Sequence, residues 1–418
     1  MGTELLLGCI GDDFTGSSDA ASFLAEAGLK TILVNGETGR LPKMDAEALV
    51  VALKTRSAPK KEAVKESLAA LRALQKRGAK HIYVKYCSTF DSTREGNIGP
   101  ILDAFMEEMN VPYTILCPAL PVNGRIVENG VLFVNGTPLA ESSMKNHPLN
   151  PMWASRVQDL MHPQSVYPCM EIPHKRLDEA TVEEIRGEIE DFKKNHPHFY
   201  VIPDYINQEH ARKIARIFSS LSLLSGGSGL LTELAEQYKD GSYPTKLLQD
   251  KTEGGGIVLA GSCSEATLRQ IEVFQQAGGK SFKIDPKALR QGAHHLEEVW
   301  LWAKARLDQE ILLYSSDTPE NIRSHQEAAA AELLEKAFAQ LAEKARHAGV
   351  KRFVVAGGET SGAVVQRLGF HAFVIGKSVA PGVPIMIPTD AADMRVVLKS
   401  GNFGQEDFFQ RALDMTRR

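Results

Sequence analysis

The stretch LLLGCIGDDFTGSSDAASFLAEAGLKTILV, residues 5–34, decides the fold class. Its apolar run LLLGCI is typical of a buried strand, and a polar turn, GDDFTGSS, follows it. Apolar residues then recur at helical spacing over residues 19–27, with Ser17 or Ser18 as the expected N-cap. The apolar residues 31–34 are predicted to form a second strand. Strand, helix and strand in this order predict a βαβ unit, whose two strands are parallel.

The alternation continues through the first part of the chain. Further strands are predicted at 49–53, 81–86, 114–119 and 199–204, and helices at 60–77, 98–109, 181–194 and 208–219. Apolar strands alternating with helices are typical of a parallel sheet covered on both faces. Residues 120–180 differ, because VENGVLFVNGTPL contains two Asn-Gly pairs around an apolar run, which predicts hairpin turns.

A second alternating series follows a linker. Residues 239–256, KDGSYPTKLLQDKTEGGG, are polar, contain proline and end in three glycines. The second series has predicted strands at 256–262, 281–285, 311–316, 353–358 and 373–376, and helices at 264–277, 286–308, 319–347 and 361–368. We therefore predict an α/β protein with two domains, roughly 1–245 and 255–418, each a mostly parallel sheet covered by helices.

The composition is that of an ordinary globular protein. The chain has 418 residues, of which 43% are hydrophobic and 24% charged, and its net charge is −4. This argues against disorder and against non-specific nucleic-acid binding. The apolar N-terminal run has no basic segment before it and no long apolar run occurs, so neither a signal peptide nor a membrane span is expected. Five cysteines without a CxxC pair indicate reduced thiols and a cytoplasmic location.

Polar clusters follow several predicted strands of the first domain, where parallel sheets bind ligands. Asp12 and Asp13 could bind substrate hydroxyls, hold Mg²⁺ or accept a hydroxyl proton; the alternative is a turn with a capping aspartate. Arg56 follows the next buried strand, and an arginine can bind a carboxylate or phosphate bidentately.

Two further clusters in this domain suit a small hydroxylated acid. Residues 85–97 combine hydroxyl groups with cations and an aspartate, and they include Lys85, Asp91 and Ser92. Cations would bind the carboxylate of such an acid, while hydroxyls and amides would bind its alcohols. Arg125, in an Asn-Gly-Arg turn, adds one more cation.

The second domain has two glycine-rich turns that each open a predicted helix. One contains Ser262, and the other is the segment 357–362. Amide groups at a helix N-terminus can bind an anion, so two such turns indicate the phosphates of a nucleotide, with tight packing as the alternative. Neither turn matches GxxxxGK[ST], and GxGxxG is absent, which disfavours a P-loop enzyme and a dinucleotide-binding protein.

Taken in order, these clusters resemble the four-carbon acid sugar kinase family. GDDFTGSSDAA is similar to the acidic N-terminal motif of that family. The stretches KYCSTFDSTREGNIGP, CPALPVNGR with ENGVLFVNGTPL, LAGSCSEATLRQ and VAGGETSGAVVQRLG resemble its 3-oxo-tetronate kinase branch. The similarity extends over essentially the whole chain.

The resemblance implies an ATP-dependent kinase that phosphorylates the 4-hydroxyl of a 3-oxo-tetronate. It implies a sugar-acid-binding N-terminal domain, an ATP-binding C-terminal domain and an active site in the inter-domain cleft, with Mg²⁺ expected at unidentified ligands. On the substrate side it implies catalytic Asp12 and Asp13, and binding by Arg56, Lys85, Asp91, Ser92 and Arg125. For ATP it implies Ser262, Gly358, Glu359, Thr360, Ser361, Gly362 and Gly404.

Three alternatives stay open at this point. The chain could phosphorylate threonate or erythronate instead, or it could be a non-catalytic sugar-acid sensor. An NAD-linked dehydrogenase is disfavoured by the missing GxGxxG. The expected partners are a sugar acid and ATP, without nucleic acid or membrane, and a homo-oligomer is left open.

Overall fold

The computed structural model describes residues 4–36, 41–146, 150–239, 250–292, 294–315 and 327–418. The chain divides into two compact units, Met1–Thr245 and Lys246–Arg418. Residues 240–249 of the predicted linker lie outside the described residues, as do the end of the strand expected at 311–316 and the start of the helix expected at 319–347.

The first unit contains three sheets and the helices that surround them. Its strands are β1 (Leu7–Gly11), β2 (Thr31–Asn35), β3 (Ala48–Ala52), β4 (His81–Lys85), β5 (Tyr113–Ile115), β6 (Arg125–Glu128), β7 (Val131–Val134), β8 (Thr137–Pro138), β9 (Cys169–Ile172), β10 (Phe199–Pro203) and β11 (Leu223–Gly226). Its α-helices are α1 (Phe14–Glu26), α2 (Lys60–Lys76), α3 (Ile98–Met109), α4 (Val157–Met161), α5 (His174–Glu179), α6 (Val182–Lys193), α7 (Gln208–Phe218) and α8 (Leu231–Tyr238).

The main sheet of this unit is parallel throughout, in the order β11-β4-β1-β3-β2. Every residue of β1 and β3 is buried, as expected for apolar strands covered on both faces. Gly11 lies opposite Ala52 on one side and Lys85 on the other. The loops that follow β1, β3 and β4 therefore leave the sheet at the same edge.

Helix α1 begins earlier than the sequence pattern predicts. Its N-cap is Asp13, whose side chain accepts a hydrogen bond from the Gly16 amide at 2.8 Å. The expectation that Ser17 or Ser18 caps the helix is wrong, because their hydroxyls bond back to carbonyl oxygens within the first turn. The polar residues after β1 thus belong to a helix N-terminus.

The segment after α3 leaves the main sheet, unlike the continuous strand expected at 114–119. Only β5 forms there, and it joins β10 and β9 in a separate parallel sheet. The Leu116 amide donates to Val201 of β10 and the Cys117 amide to Ser225 of β11, so the chain crosses between sheets at this point. Pro118, which lacks an N–H group, follows.

The two predicted Asn-Gly turns are present. Strands β6 and β7 pair antiparallel, and β7 pairs with β8 in the same way. Asn129 and Gly130 have φ angles of 50° and 75°, and Asn135 and Gly136 have 51° and 81°. Two consecutive left-handed residues are the requirement of a type I′ turn, which the Asn-Gly pairs satisfy.

The second unit is also built on a mostly parallel sheet. Its strands are β12 (Gly256–Ala260), β13 (Lys280–Lys283), β14 (Glu310–Tyr314), β15 (Arg352–Ala356), β16 (Ala372–Ala380), β17 (Val383–Pro388) and β18 (Arg395–Lys399). Its helices are α9 (Glu265–Gln276), α10 (Pro286–Gln291), α11 (His294–Lys304), α12 (Glu327–His347), α13 (Gly358–Leu368) and α14 (Phe408–Thr416). Parallel pairs join β13, β14, β12, β15 and β18 in that order, while β17 pairs antiparallel with both β18 and β16.

These observations confirm the predicted α/β class. The single helix expected at 286–308 is instead α10 and α11, separated at Gly292, whose φ of 142° is outside the range of a right-handed helix. Phe408 and Phe409 of α14 pack into a core with Val258, Val354 and Val397 of the sheet. None of the described helices combines the length and apolar character needed to cross a lipid bilayer.

Candidate functional site

Backbone hydrogen bonds join two of the sheet-edge loops in the first unit. The carbonyl oxygen of Asp12 accepts the amides of Thr55 and Arg56, at 3.0 and 3.2 Å. The side chain of Asn97 holds the same loop, donating to the carbonyls of Thr55 and Ala58 at 2.7 and 2.8 Å. Arg56 is therefore held beside the loop that follows β1.

The Arg56 guanidinium group is the centre of a carboxylate cluster. Its Nε and Nη2 atoms each donate to one oxygen of Asp12, both at 2.9 Å. Nη2 also lies 3.0 Å from Asp13 Oδ1, and Nη1 lies 3.7 Å from Asp91 Oδ2. One cation thus faces three carboxylates, and its bidentate edge is already used by Asp12. This arrangement does not favour Arg56 as the group that binds a substrate carboxylate.

The two adjacent aspartates have different acid–base properties. Burial raises the pKa of Asp12, although Arg56 opposes the shift. Asp13 is also desolvated, but Arg56, Lys85 and the Gly16 amide hold the pKa of its carboxyl below the ordinary value. Asp12 is therefore the better proton acceptor, whereas Asp13 stays ionised as a helix cap and a partner of Arg56.

Five of the predicted residues line one small cavity within this unit. It has a volume of about 20 Å³, and the predicted residues along it are Asp12, Arg56, Lys85, Asp91 and Ser92. Asp91 and Ser92 are buried, and Asn150 donates to Asp91 Oδ1 at 2.7 Å. The structure brings these five together at the ends of β1, β3 and β4.

Lys85 lies beside Asp19, a residue that was not predicted from the sequence. Its Nζ donates to the Tyr86 carbonyl at 2.9 Å and lies 4.0 Å from Asp19 Oδ2. The same Asp19 oxygen accepts a hydrogen bond from the Ser228 hydroxyl. Burial raises the pKa of Asp19 to about 6. Asp19 lies on the buried face of α1, and an acidic residue on an otherwise apolar helix face is the signal that could have identified it.

Arg125, at the start of β6, has few hydrogen-bond partners among the described residues. Its Nη1 donates to the Asn123 carbonyl, while its Nε is buried and has no hydrogen-bond partner among the described residues. Burial lowers the pKa of Arg125, and Cys87 and Asp19 oppose the shift. Cys87 also acts on the pKa of Arg56.

In the second unit, three adjacent strand ends carry the remaining predicted residues. Ala356 of β15 lies opposite Ala260 of β12 and Lys399 of β18, so the loops after these strands leave one edge of the sheet. Ser262 belongs to the first loop, and its amide donates to the Ala356 carbonyl at 3.1 Å. Gly404, in the third loop, has a φ of 84°.

The first turn of α13 contains the other predicted residues. Gly358, Glu359, Thr360, Ser361 and Gly362 all lie at the start of this helix. The amides of Gly358, Glu359 and Thr360 lack intrahelical partners, whereas the Ser361 amide donates to the Gly357 carbonyl at 2.9 Å. Ser361 is fully buried, and its hydroxyl has no hydrogen-bond partner in the described part of the chain. A Cβ added at Gly362 would have no atom within 4 Å, so space is open beside this turn.

Close packing explains another glycine of these turns. A Cβ at Gly261 would lie 2.2 Å from Thr360 Oγ1, which joins the first two loops directly. Packing therefore accounts for Gly261, whereas no contact within 4 Å accounts for Gly362, and no hydrogen bond among the described residues accounts for the Ser361 hydroxyl.

Comparisons with known proteins find one family model for each of the two compact units. Residues 7–234 match the model of a sugar-binding N-terminal domain, and residues 257–409 match that of a nucleotide-binding C-terminal domain. The chain is 40% identical to a 3-oxo-tetronate kinase of Pectobacterium atrosepticum, over 97% of this chain and 98% of that one. It is 39% identical to a 3-oxo-tetronate kinase of Haemophilus influenzae, over 98% and 100%. The chain belongs to the four-carbon acid sugar kinase family.

Solved structures of this family have the same fold. A crystal structure from Salmonella typhimurium LT2 superimposes with a TM-score of 0.90 at 38% identity, covering 99% of this chain and 100% of the other. A Haemophilus influenzae protein superimposes with a TM-score of 0.82 at 38% identity, covering 98% and 99%. The resemblance stated from the sequence motifs is thereby confirmed.

The family's expected metal has no dedicated protein cage in the residues described. No group of three or more His, Cys, Asp or Glu side chains there is placed to hold an ion. Mg²⁺ in kinases is commonly bound through substrate phosphates and only one or two carboxylates, so this donor set is compatible with an ion that arrives with the nucleotide.

Proposed function

We propose that the chain is an ATP-dependent kinase that converts 3-oxo-tetronate to 3-oxo-tetronate 4-phosphate in the breakdown of four-carbon sugar acids. The observation that carries this proposal is the near full-length identity of 39–40% to proteins named 3-oxo-tetronate kinase. The match of the two halves to a sugar-binding and a nucleotide-binding domain supports it.

We assign the recognition of the sugar acid to the cluster in the first unit. Arg125 is the cation for the substrate carboxylate, because Arg56 is already paired with carboxylates of the chain. Lys85 and Ser92 supply further donors for the oxo and hydroxyl oxygens. Asp91 stays with Arg56 and Asn150, so its role is to hold that side of the cavity.

In the transfer step, the 4-hydroxyl oxygen bonds to the γ-phosphorus while the bond between that phosphorus and the ADP oxygen breaks. The hydroxyl proton must leave, and Asp12 accepts it, because its pKa is the one raised by burial. Arg56 fixes the Asp12 carboxylate through two hydrogen bonds and keeps it in one orientation. Asp13 holds Arg56 from the other side.

We assign the nucleotide to the glycine-rich edge of the second unit. The first-turn amides of α13 and the Ser361 hydroxyl would donate to phosphate oxygens, with Ser262 and Gly404 on the neighbouring loops. Mg²⁺ would accompany the phosphates and neutralise charge that develops in the transfer.

The decisive experiment measures ADP release from Mg·ATP with 3-oxo-tetronates, with threonate and with erythronate. We expect turnover with the 3-oxo acid alone. Turnover with threonate or erythronate instead would support the kinase activity but contradict the proposed substrate. Binding of a sugar acid without ADP release in any reaction would contradict the kinase and favour a sensor.

Arg125→Met is expected to raise KM for the sugar acid roughly 10- to 100-fold, because the variant loses a charge-assisted hydrogen bond to the substrate carboxylate. KM for ATP should stay within about twofold, because Arg125 lies in the unit matched to sugar binding. Arg156→Met is the matched control, since Arg156 is an exposed arginine paired with Glu171. Equal KM values in the two variants would exclude Arg125 as the carboxylate ligand.

A further inference from the structure

Lys399, the last residue of β18, is fully buried in the second unit. Its Nζ donates to Thr267 Oγ1 at 2.9 Å and to the carbonyls of Ser400 and Gly401 at 3.2 and 2.7 Å. These three acceptors match the three N–H bonds of an ammonium group, so its hydrogen bonds go to the protein and none is left for a ligand.

Burying a cation against neutral acceptors is unfavourable, and burial lowers the pKa of Lys399 to about 7. Packing alone would be served better by an apolar side chain at this position. Two of the three hydrogen bonds of this ammonium group go to the loop beside it, at Ser400 and Gly401.

The Gly401 carbonyl, in that loop, accepts several hydrogen bonds. It accepts hydrogen bonds from the Lys399 ammonium at 2.7 Å, the Ser264 hydroxyl at 2.6 Å and the Thr267 hydroxyl at 3.0 Å. Three donors on one carbonyl fix the plane of the following peptide bond. In a trans peptide the N–H points opposite to the C=O, so the amide of Asn402 faces away from Lys399 and α9.

Helix α9 also holds the far end of the loop. The side-chain nitrogen of Gln270 lies 3.1, 3.1 and 3.0 Å from the carbonyl oxygens of Phe403, Gly404 and Gln405, which share its two N–H groups. At the near end, a Cβ on Gly401 would lie 2.4 Å from Ser262 Oγ, so the loop packs against the residue assigned to the nucleotide. The carbonyls of Gly401, Phe403, Gly404 and Gln405 thus turn toward α9.

We propose that Lys399 is a positioning residue of the nucleotide site, holding residues 400–404 so that the Asn402 amide faces the phosphate groups of ATP. Turning these carbonyls inward removes their partial negative charge from the phosphates and leaves the Asn402 N–H outward, whereas the Phe403 amide donates to the Ser400 carbonyl within the loop. This inference rests on the proposed function, because it takes the second unit to bind a nucleotide.

The test compares the binding of Mg·ADP and of adenosine to the wild type and to Lys399→Met by calorimetry. We expect the Kd for Mg·ADP to rise roughly 10- to 100-fold, because one charge-assisted anchor of the loop is lost. The Kd for adenosine, which has no phosphate, should stay within about twofold. In kinetics, KM for ATP should rise by a similar factor while KM for the sugar acid does not.

Lys351→Met is the matched control, because Lys351 lies in the same unit and pairs at the surface with Asp393. It should leave every constant unchanged. If Lys399→Met does not fold, as judged by circular dichroism, the double variant Ser264→Ala, Thr267→Val replaces it. That variant removes the other two donors to the Gly401 carbonyl and should also weaken Mg·ADP more than adenosine.

The outcomes separate the two proposals. A wild type that binds no Mg·ADP would overturn the proposed function and this inference with it. A wild type that binds Mg·ADP, with an affinity unchanged in the folded variant, would overturn only the inference. An equal rise in the Kd for Mg·ADP and the Kd for adenosine would also overturn the inference, because that result would show a general loosening of the unit.

Discussion

Asp12→Asn is expected to lower kcat roughly 10²- to 10⁴-fold, the range that a lost general base costs. The substitution keeps the size of the side chain but removes its charge. It also turns an amide NH₂ group toward Arg56, in place of an oxygen that accepts a hydrogen bond at 2.9 Å. Steady-state kinetics with saturating Mg·ATP and 3-oxo-tetronate measures the effect.

Asp13→Asn is the companion variant for this prediction. Asparagine caps a helix as well as aspartate does, so the cap on α1 should persist. Loss of the ion pair with Arg56 should cost about 1 kcal/mol in the free energy of unfolding, and the loss of kcat should be smaller than in Asp12→Asn. A larger loss of kcat in Asp13→Asn than in Asp12→Asn would reverse the two assignments. Near-normal turnover in both variants would remove the role of base from this pair.

Arg56→Met is expected to lower the free energy of unfolding by about 3 kcal/mol at pH 7 and to abolish most activity. It leaves Asp12, Asp13 and Asp91 facing one another without their shared cation. Urea denaturation measures the stability. Arg72→Met is the matched control, because Arg72 forms a bidentate pair with Glu108 that is exposed, and its loss should cost less than about 1 kcal/mol.

The stability lost in Arg56→Met should depend on pH. In the wild type the pKa of Asp13 is held below its ordinary value, so its pairing stabilises the fold above the unfolded pKa and is lost as the pH falls through the folded one. The difference between wild type and variant should therefore be largest at neutral pH and shrink as the pH falls through about 4 to about 3. A difference that is the same at both pH values would show that electrostatics is not its cause.

The alternation of apolar strands and amphipathic helices predicted the α/β class because both periodicities are local properties of the chain. The Asn-Gly turns were predictable for the same reason, since left-handed φ angles at Asn129 and Gly130 are a property of those two residues. The first residue of α1 was not predictable, because Asp13, Ser17 and Ser18 could each have been its N-cap. The hydrogen bond from the Gly16 amide to Asp13 identifies Asp13 as the cap.

Within the candidate site, strand-end position identified Asp12, Arg56 and Lys85, but not what each of them contacts. Asp19 and Lys399 were missed. Asp19 is marked only by its place on the apolar face of α1, and nothing in the local sequence around Lys399 marks a buried charge. The bidentate use of Arg56 by Asp12 depends on residues 44 positions apart in the chain. No sequence pattern reports such a pairing.

The class of the fold, the two series of strands and helices, and the family could all be inferred from the sequence, because they depend on periodicity and on long ordered motifs. Only the folded structure distinguishes the two arginines of the first unit. Arg56 and Arg125 are equivalent as residue types, but parallel register places Arg56 among three carboxylates, while the hydrogen bond of Arg125 within the described part of the chain goes to a carbonyl. The charge available to a ligand is set by neighbours that are distant in the chain, and only folding brings them together.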